Sequence, residues 1–192
     1  MLTIPTQLTL MRVAAIPVMA LLYYLPFPLH TIAAAMVFIL AAITDWLDGY
    51  LARRLNQASA FGAFLDPVAD KLIVATALVI LVQQDPSLAV LIPAGVIIGR
   101  EITISALREW MAELGRRAEV GVRSLGKWKT GFQMTAIAMM LWRDDLGPIP
   151  IYEIGFALLI IASVLTVWSM AMYLKVAWPM FRESEKNPGS FS

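Results

Sequence analysis

Long uncharged runs alternate with short charged segments along this chain. The run from 154 to 174 is mostly apolar, and its length alone matches the roughly 20 residues that a transmembrane helix needs. The run from 13 to 44 is too long for one such helix, but Pro26 and Pro28 divide it in two because proline cannot continue a helix. Three shorter runs become spans if each takes in a charged turn at one end; they lie at 72–84, 86–99 and 130–142.

The pattern therefore predicts an all-α integral membrane protein with six transmembrane helices. We expect a single six-helix membrane domain over residues 1–180. The segment 181–192 is polar and contains proline and glycine, which predicts a frayed cytoplasmic tail. The predicted helices are 6–26, 30–50, 62–84, 87–112, 125–143 and 152–177.

Composition supports a membrane protein and excludes two kinds of chemistry. Hydrophobic residues make up 59% of the 192 residues and charged residues 15%, whereas soluble domains carry roughly a quarter charged residues. Cysteine is absent, so disulfides and thiol catalysis are excluded. The single histidine, His30, lies beside the turn at Pro26 and Pro28, where a solvated side chain is the simpler interpretation, so we do not expect histidine acid–base chemistry.

Lysine and arginine predict the orientation of the helices. Six spans place both termini on one side of the membrane, together with the connections at 51–61 and 113–124. Every basic residue except Arg143 belongs to that side or to the helix ends next to it. Because cytoplasmic loops carry the excess of basic residues in membrane proteins, we expect both termini and the aspartate-rich segment after the second span to face the cytoplasm.

Four aspartates interrupt the apolar pattern around the connection between the second and third predicted helices. Asp45 and Asp48 are three residues apart, and Asp66 and Asp70 are four apart, so each pair lies on one helix face. The short connection makes these helices antiparallel neighbours, and the carboxylates can converge at the membrane boundary. One charge inside the hydrocarbon costs about 3 kcal/mol, so such a cluster must be protonated or neutralised by cations.

The aspartates and their neighbours favour phosphate chemistry. Carboxylate oxygens in this number suit Mg²⁺ or Mn²⁺ rather than zinc, and a two-metal site suits in-line displacement at phosphorus. Gly49, Ala52 and Gly62 leave space beside the carboxylates, and Arg53 offers a planar fork to a phosphate. The small residues could equally serve close helix packing, and Arg53 could be a membrane anchor.

A second polar group lies on the fourth and fifth predicted helices. Arg100 and Arg108 are eight residues apart on one helix, and Lys127 and Lys129 follow at the start of the next. Charge within a span is a functional hypothesis by default, and these residues would form a basic pocket near the aspartates for a small anionic substrate. The competing interpretation pairs Arg100 with Glu101 or an aspartate and leaves the lysines to lipid headgroups.

The chain resembles the CDP-alcohol phosphatidyltransferases. Their signature is matched without a gap by Asp45-x2-Asp48-Gly49-x2-Ala52-Arg53-x8-Gly62-x3-Asp66-x3-Asp70. Four further segments of this chain resemble the bacterial branch that makes phosphatidylglycerophosphate: IPTQLTLMR, FGAFLDPVADK, REITISALREWMAE and GKWKT. That branch often has asparagine near the N-terminus, where this chain has Thr3 and Thr6.

The resemblance implies a homodimer in the bacterial inner membrane, in contact with membrane lipids and without a nucleic-acid partner. It implies transfer of a phosphatidyl group from CDP-diacylglycerol to sn-glycerol 3-phosphate, which gives phosphatidylglycerophosphate and CMP. All four aspartates would ligate Mg²⁺ or Mn²⁺, two ions in number, with Asp70 as the general base. The other implied site residues are Asp48, Gly49, Ala52, Arg53 and Gly62 around the CDP group, and the predicted acceptor pocket adds Arg100, Arg108, Lys127 and Lys129.

Three alternatives stay open. Another acceptor, namely inositol phosphate, serine or phosphatidylglycerol, could replace glycerol 3-phosphate within the family. An intramembrane prenyltransferase also combines aspartate-rich helices with Mg²⁺, but such enzymes usually have more spans. A cation transporter could use the carboxylates as an ion path, but transporter sites tend to lie near the bilayer midplane between repeated halves, and no repeat stands out in this sequence.

Overall fold

Six α-helices follow one another in the part of the chain that the computed structural model describes, residues 4–55, 60–113 and 123–186. These residues form no β-strand, and Leu146 and Ile149 make an isolated bridge. The prediction of an all-α protein is confirmed for this part of the chain. In order, the helices are α1 (Ile4–Tyr24), α2 (His30–Leu55), α3 (Ala60–Gln84), α4 (Leu88–Glu113), α5 (Arg123–Trp142) and α6 (Ile151–Lys186).

Two helices end later than the apolar pattern predicts. α2 continues past residue 50 to Leu55, and α6 continues past residue 177 to Lys186. The added residues of α6 include good helix formers such as methionine, arginine, glutamate and lysine. The predicted tail is therefore helical as far as Lys186, and the part of the signature from Asp45 to Arg53 lies entirely on α2.

Short connections make consecutive helices run in opposite directions. Pro26 and Pro28 lie between α1 and α2, and Pro86 lies between α3 and α4. The connection from α5 to α6 turns through Gly147, whose φ of 64° is left-handed and favours glycine. One end of the bundle therefore holds the start of α1, α3 and α5 and the end of α2 and α4. We call it the aspartate end, because Asp45 and the third-helix aspartates lie towards it.

The interior of the bundle is apolar and closely packed. Phe38, Leu78 and Leu159 come from three different helices and are almost completely buried in one cluster. Gly155 of α6 lets that helix approach α5, because a Cβ at this position would lie only 2.9 Å from Cβ of Met139. Close van der Waals contacts of this kind hold helices together where the surroundings are as apolar as the core. This packing gives the polar residues at the aspartate end a rigid support.

The outer surface of the bundle is apolar as well, which soluble monomers avoid. Leu21, Ile92 and Val164 are each more than half exposed. Three stretches are long and apolar enough to cross a membrane by length and composition: Thr6–Tyr24, Leu88–Ala112 and Ile151–Lys175. A shorter apolar stretch lies in α2 at His30–Asp45. The described residues thus form a helical membrane protein.

Candidate active site

Arg12 of α1 joins aspartates of α2 and α3 at the aspartate end. Its Nη1 atom lies 3.1 Å from Oδ1 of Asp45 and also contacts Oδ1 of Asp70. The Arg12 side chain is 1% exposed, whereas those of Asp45 and Asp70 are 46% and 44% exposed. Two half-exposed carboxylates therefore converge on one nitrogen of a buried guanidinium.

A third aspartate is bound by the same helix. Thr9 lies three residues before Arg12, on the same face of α1, and its hydroxyl donates to Oδ1 of Asp66. Thr6 is buried too, so α1 presents a polar stripe of two threonines and an arginine to the interior. From the sequence alone, Arg12 is only one of the basic residues on the predicted cytoplasmic side. The signal that could have found it is the spacing of three between polar residues in an otherwise apolar helix.

The side-chain surroundings of several predicted site residues are not described by the structure. Asp48, Gly49, Ala52 and Arg53 lie in the last turns of α2, and Lys127 lies near the start of α5; their side-chain contacts are not among those described. Among the side chains that are described, no group of three or more aspartate, glutamate, histidine or cysteine residues is close enough to hold a metal ion. The four-aspartate metal site, which includes Asp48, stays a prediction.

Gly62 takes the place that the signature predicts for it. It is buried on α3, one turn before Asp66. A side chain at this position would point along the same helix face as the carboxylate. Its role in binding CDP stays a prediction.

A cavity of about 190 Å³ lies beside Arg12 and is lined by residues of five helices. Asp45 and Asp70 line it from one side, and Glu101 of α4 and Gln133 of α5 line it from the other helices. The rest of the lining is formed by Ala41, Ala42, Lys71, Ile73, Val74, Thr130 and Met134. The aspartate pair and Glu101 therefore meet at one cavity.

Glu101 organises the predicted basic group. Lys129 donates to its Oε1 atom at 2.5 Å, and Arg100 donates to the same oxygen at 3.1 Å. Arg100 also donates to the hydroxyl of Ser169 on α6 at 3.1 Å. The side chains of Lys129 and Arg100 are only 3% and 10% exposed, so two buried cations share one carboxylate. The pairing of Arg100 with Glu101, which the competing interpretation predicted, is confirmed.

Arg108 does not join the cluster of Glu101, Lys129 and Arg100 by a described bond and lies against α6. Its guanidinium donates to the hydroxyl of Tyr173 at 2.8 Å and lies 5.4 Å from the centre of that ring. Arg100 approaches the same ring at 5.9 Å. Arg108 is exposed and is not among the described residues that line the cavity. A contact between Arg108 and the acceptor phosphate stays a prediction, and Tyr173 is the residue that connects the two arginines.

The opposite end of the bundle has a separate polar network. With its amide oriented for hydrogen bonding, Gln84 accepts from Nε of Arg143 at 2.9 Å. Tyr152 donates to Asp85 at 3.1 Å. Hydrogen bonds from the side chain and backbone of Ser87 lower the pKa of Asp85, which lies in the connection between α3 and α4. This network ties the α3–α4 connection to the start of α6.

Comparison with known proteins assigns the chain to a family. The family model for CDP-alcohol phosphatidyltransferase matches residues 2–168. Relatives from Shigella flexneri, Salmonella choleraesuis and Escherichia coli are each 53% identical over 174 residues, which is 91% of this chain and 94% of the relative. Each relative is named CDP-diacylglycerol–glycerol-3-phosphate 3-phosphatidyltransferase. The chain therefore belongs to the CDP-alcohol phosphatidyltransferase family, whose members are transferases that generally use a divalent metal ion.

Proposed function

We propose that this chain transfers the phosphatidyl group of CDP-diacylglycerol to sn-glycerol 3-phosphate and releases CMP. Family membership supports the transfer, and the names of relatives at 53% identity support the donor and the acceptor. The structural observation that carries the proposal is the cavity between Asp45, Asp70 and Glu101. Carboxylates that bind metal ions suit a pyrophosphate, and the cations bonded to Glu101 lie directly behind that wall, where they suit an anionic acceptor.

The aspartates fit a divalent metal site. Asp45 and Asp70 already converge on one nitrogen of Arg12, so their geometry accommodates a shared positive charge. Oxygen ligands of this kind suit Mg²⁺ and Mn²⁺. We propose that Asp45, Asp48, Asp66 and Asp70 hold two such ions. When bound, the ions stabilise negative charge on the pyrophosphate and on the leaving CMP.

The other residues divide between the two substrates. Asp70 acts as the general base: it takes the proton of an acceptor hydroxyl while that oxygen bonds to phosphorus and the bond from phosphorus to CMP breaks. Lys129 and Arg100 would share their positive charge between Glu101 and the phosphate of the acceptor. The remaining proposed residues are Asp48, Gly49, Ala52, Arg53 and Gly62 for CDP, and Arg108 and Lys127 for the acceptor phosphate.

The proposal includes six spans in a bacterial inner membrane, with the aspartate end in the cytoplasm, and a homodimer. Three apolar stretches support the membrane spans, and α2, α3 and α5 would complete the six with their charged turns at the cytoplasmic boundary. Because the chain has no cysteine, single variants can be labelled with a membrane-impermeant thiol reagent. Asp145→Cys should react in intact cells and Ser184→Cys only after the membrane is opened; the reverse pattern would refute this orientation.

CMP release from CDP-diacylglycerol by the purified protein in detergent tests the function. We expect sn-glycerol 3-phosphate to give the highest kcat/KM among four acceptors, ahead of inositol phosphate, serine and phosphatidylglycerol. A higher value with one of the other three would place the chain in another branch of the family. Asp66→Asn is the matched inactive control, because it keeps the shape of the side chain and removes its charge.

A further inference from the structure

Gln133 is a buried amide in the wall of the active-site cavity. It lines the cavity and is only 4% exposed. Its Oε1 atom is buried and has no hydrogen-bond partner among the described residues. Buried side-chain polar atoms are nearly always hydrogen-bonded, and an amide can both accept and donate. An unpaired amide oxygen on a residue of a cavity wall indicates a ligand that supplies the missing donor.

The position of Gln133 on α5 relates it to the acceptor rather than to the lipid donor. It lies four residues after Lys129, so both residues are on one helix face and about 6 Å apart along the axis. That separation is comparable with the length of a three-carbon phosphate ester. Lys129 is bonded at 2.5 Å to Glu101, which lines the cavity. An acceptor phosphate bound beside Glu101 would meet Lys129, and Gln133 would meet the other end of the same small molecule.

The two hydroxyl groups of glycerol 3-phosphate would meet different residues of this cavity. The molecule has two hydroxyls, of which the terminal one reacts and the central one does not. With the phosphate at Lys129 and the reacting hydroxyl at Asp70, the central hydroxyl is left for the remaining polar wall. We propose that Gln133 accepts a hydrogen bond from this hydroxyl and is the residue that selects a glycerol phosphate. The inference rests on the proposed function of the same cavity.

The ribose of CDP is the other source of hydroxyl groups, and its predicted place is different. The CDP residues of the signature follow Asp45 towards the end of α2. The described α2 residues that line the cavity with Gln133 are Ala41, Ala42 and Asp45, so the cavity lies on the other side of Asp45 from the predicted CDP residues. The diacylglycerol part of the donor has ester oxygens and no hydroxyl. The acceptor is therefore the occupant that the cavity favours.

Gln133→Met and an acceptor without the central hydroxyl, 3-hydroxypropyl phosphate, test the inference together. The wild type should prefer glycerol 3-phosphate by about tenfold to a hundredfold in kcat/KM, because the simpler acceptor leaves the buried amide without its partner. Gln133→Met should lose most activity towards glycerol 3-phosphate and keep its activity towards 3-hydroxypropyl phosphate. The ratio of the two kcat/KM values should therefore fall towards one, whereas Met134→Leu, a neighbouring apolar change, should keep the wild-type ratio.

Equal losses with both acceptors would overturn the inference, because a merely structural role affects them alike. A raised KM for CDP-diacylglycerol with an unchanged ratio would also overturn it and would assign the amide to the ribose. If Gln133→Met does not fold, Gln133→Asn can replace it, because its side chain is one methylene shorter and moves the amide away from the acceptor. A wild-type ratio of the two kcat/KM values in Gln133→Asn would also overturn the inference. A wild type that releases no CMP with either acceptor would refute the proposed function itself, which is a different result from an unchanged ratio.

Discussion

Nη1 of Arg12 lies 3.1 Å from Oδ1 of Asp45, and the same nitrogen contacts Asp70. One buried cation on α1 thus holds a carboxylate from α2 and another from α3. A divalent ion that binds these two carboxylates must share them with the guanidinium or displace it. Arg12 is therefore a competitor for the metal as well as a structural link between three helices.

Arg12→Met should strengthen metal binding, since it removes a positive charge that competes for Asp45 and Asp70. We expect the dissociation constant for Mn²⁺ to fall about tenfold, which corresponds to ~1.4 kcal/mol. Electron paramagnetic resonance of free Mn²⁺ during a titration of the detergent-solubilised protein measures it. Arg108→Met, which removes an exposed arginine bonded to Tyr173, should bind Mn²⁺ like the wild type. Unchanged or weaker binding in Arg12→Met would show that the ion does not use this pair.

Asp45→Asn, Asp66→Asn and Asp70→Asn should each lower turnover by orders of magnitude while the protein stays folded, because asparagine keeps the shape of the side chain but loses charge and basicity. If Asp70 is the general base, its loss should spare binding of CDP-diacylglycerol more than the loss of Asp45 does. Glu153→Gln, an exposed change at the opposite end of the bundle, is the control. Near-normal turnover in Asp70→Asn would rule out an essential base there.

Glu101→Gln should destabilise the protein strongly. Lys129 and Arg100 are nearly buried and both donate to Glu101, and removing one partner of a buried ion pair costs about 3–5 kcal/mol. Glu109→Gln changes an exposed glutamate on the same helix and should stay within about 0.5 kcal/mol of the wild type. Unfolding in detergent, followed by circular dichroism, compares the two. Equal stabilities would mean that the cations find other partners once Glu101 is neutral.

Acidification should weaken the connection between α3 and α4. The pKa of Asp85 is lowered in the folded protein, first by the hydrogen bond from the Ser87 side chain. Such a carboxylate contributes stability at pH values above its unfolded pKa, about 3.9, and the contribution is lost as the pH falls through the folded pKa. Ser87→Ala should therefore lower the Tm at pH 7, and its difference from the wild type should shrink as the pH falls below the unfolded pKa of about 3.9. A difference in Tm that stays constant with pH would mean that Ser87 acts only as a helix cap.

Local periodicity explains which features could be predicted from the sequence. The apolar runs predict where the helices lie, and the spacing of Asp45 and Asp70 within their own helices predicts that both face the same space, which the cavity lining agrees with. The ends of α2 and α6 lie later than predicted, because the apolar pattern stops where a helix leaves the hydrocarbon, whereas the helix itself continues in polar residues.

Partners between distant helices could not be predicted in this way. Thr9 and Asp66 are 57 residues apart and Arg12 and Asp70 are 58 apart, so their contacts depend on how α1 packs against α3. A periodic pattern describes one helix at a time and does not contain that pairing. Gln133 is hidden for the same reason: one polar residue in an apolar helix means little until the cavity beside it is known.

The central claim is that aspartate-bound metal drives transfer of the phosphatidyl group to glycerol 3-phosphate. The most direct measurement follows CMP and phosphatidylglycerophosphate together, with purified protein, CDP-diacylglycerol and sn-glycerol 3-phosphate, before and after EDTA. We expect equimolar CMP and phosphatidylglycerophosphate, loss of both in EDTA, and recovery with Mg²⁺ or Mn²⁺ in the wild type but not in Asp66→Asn. Undiminished release of CMP in metal-free buffer, or CMP without the phosphorylated lipid product, would contradict the account.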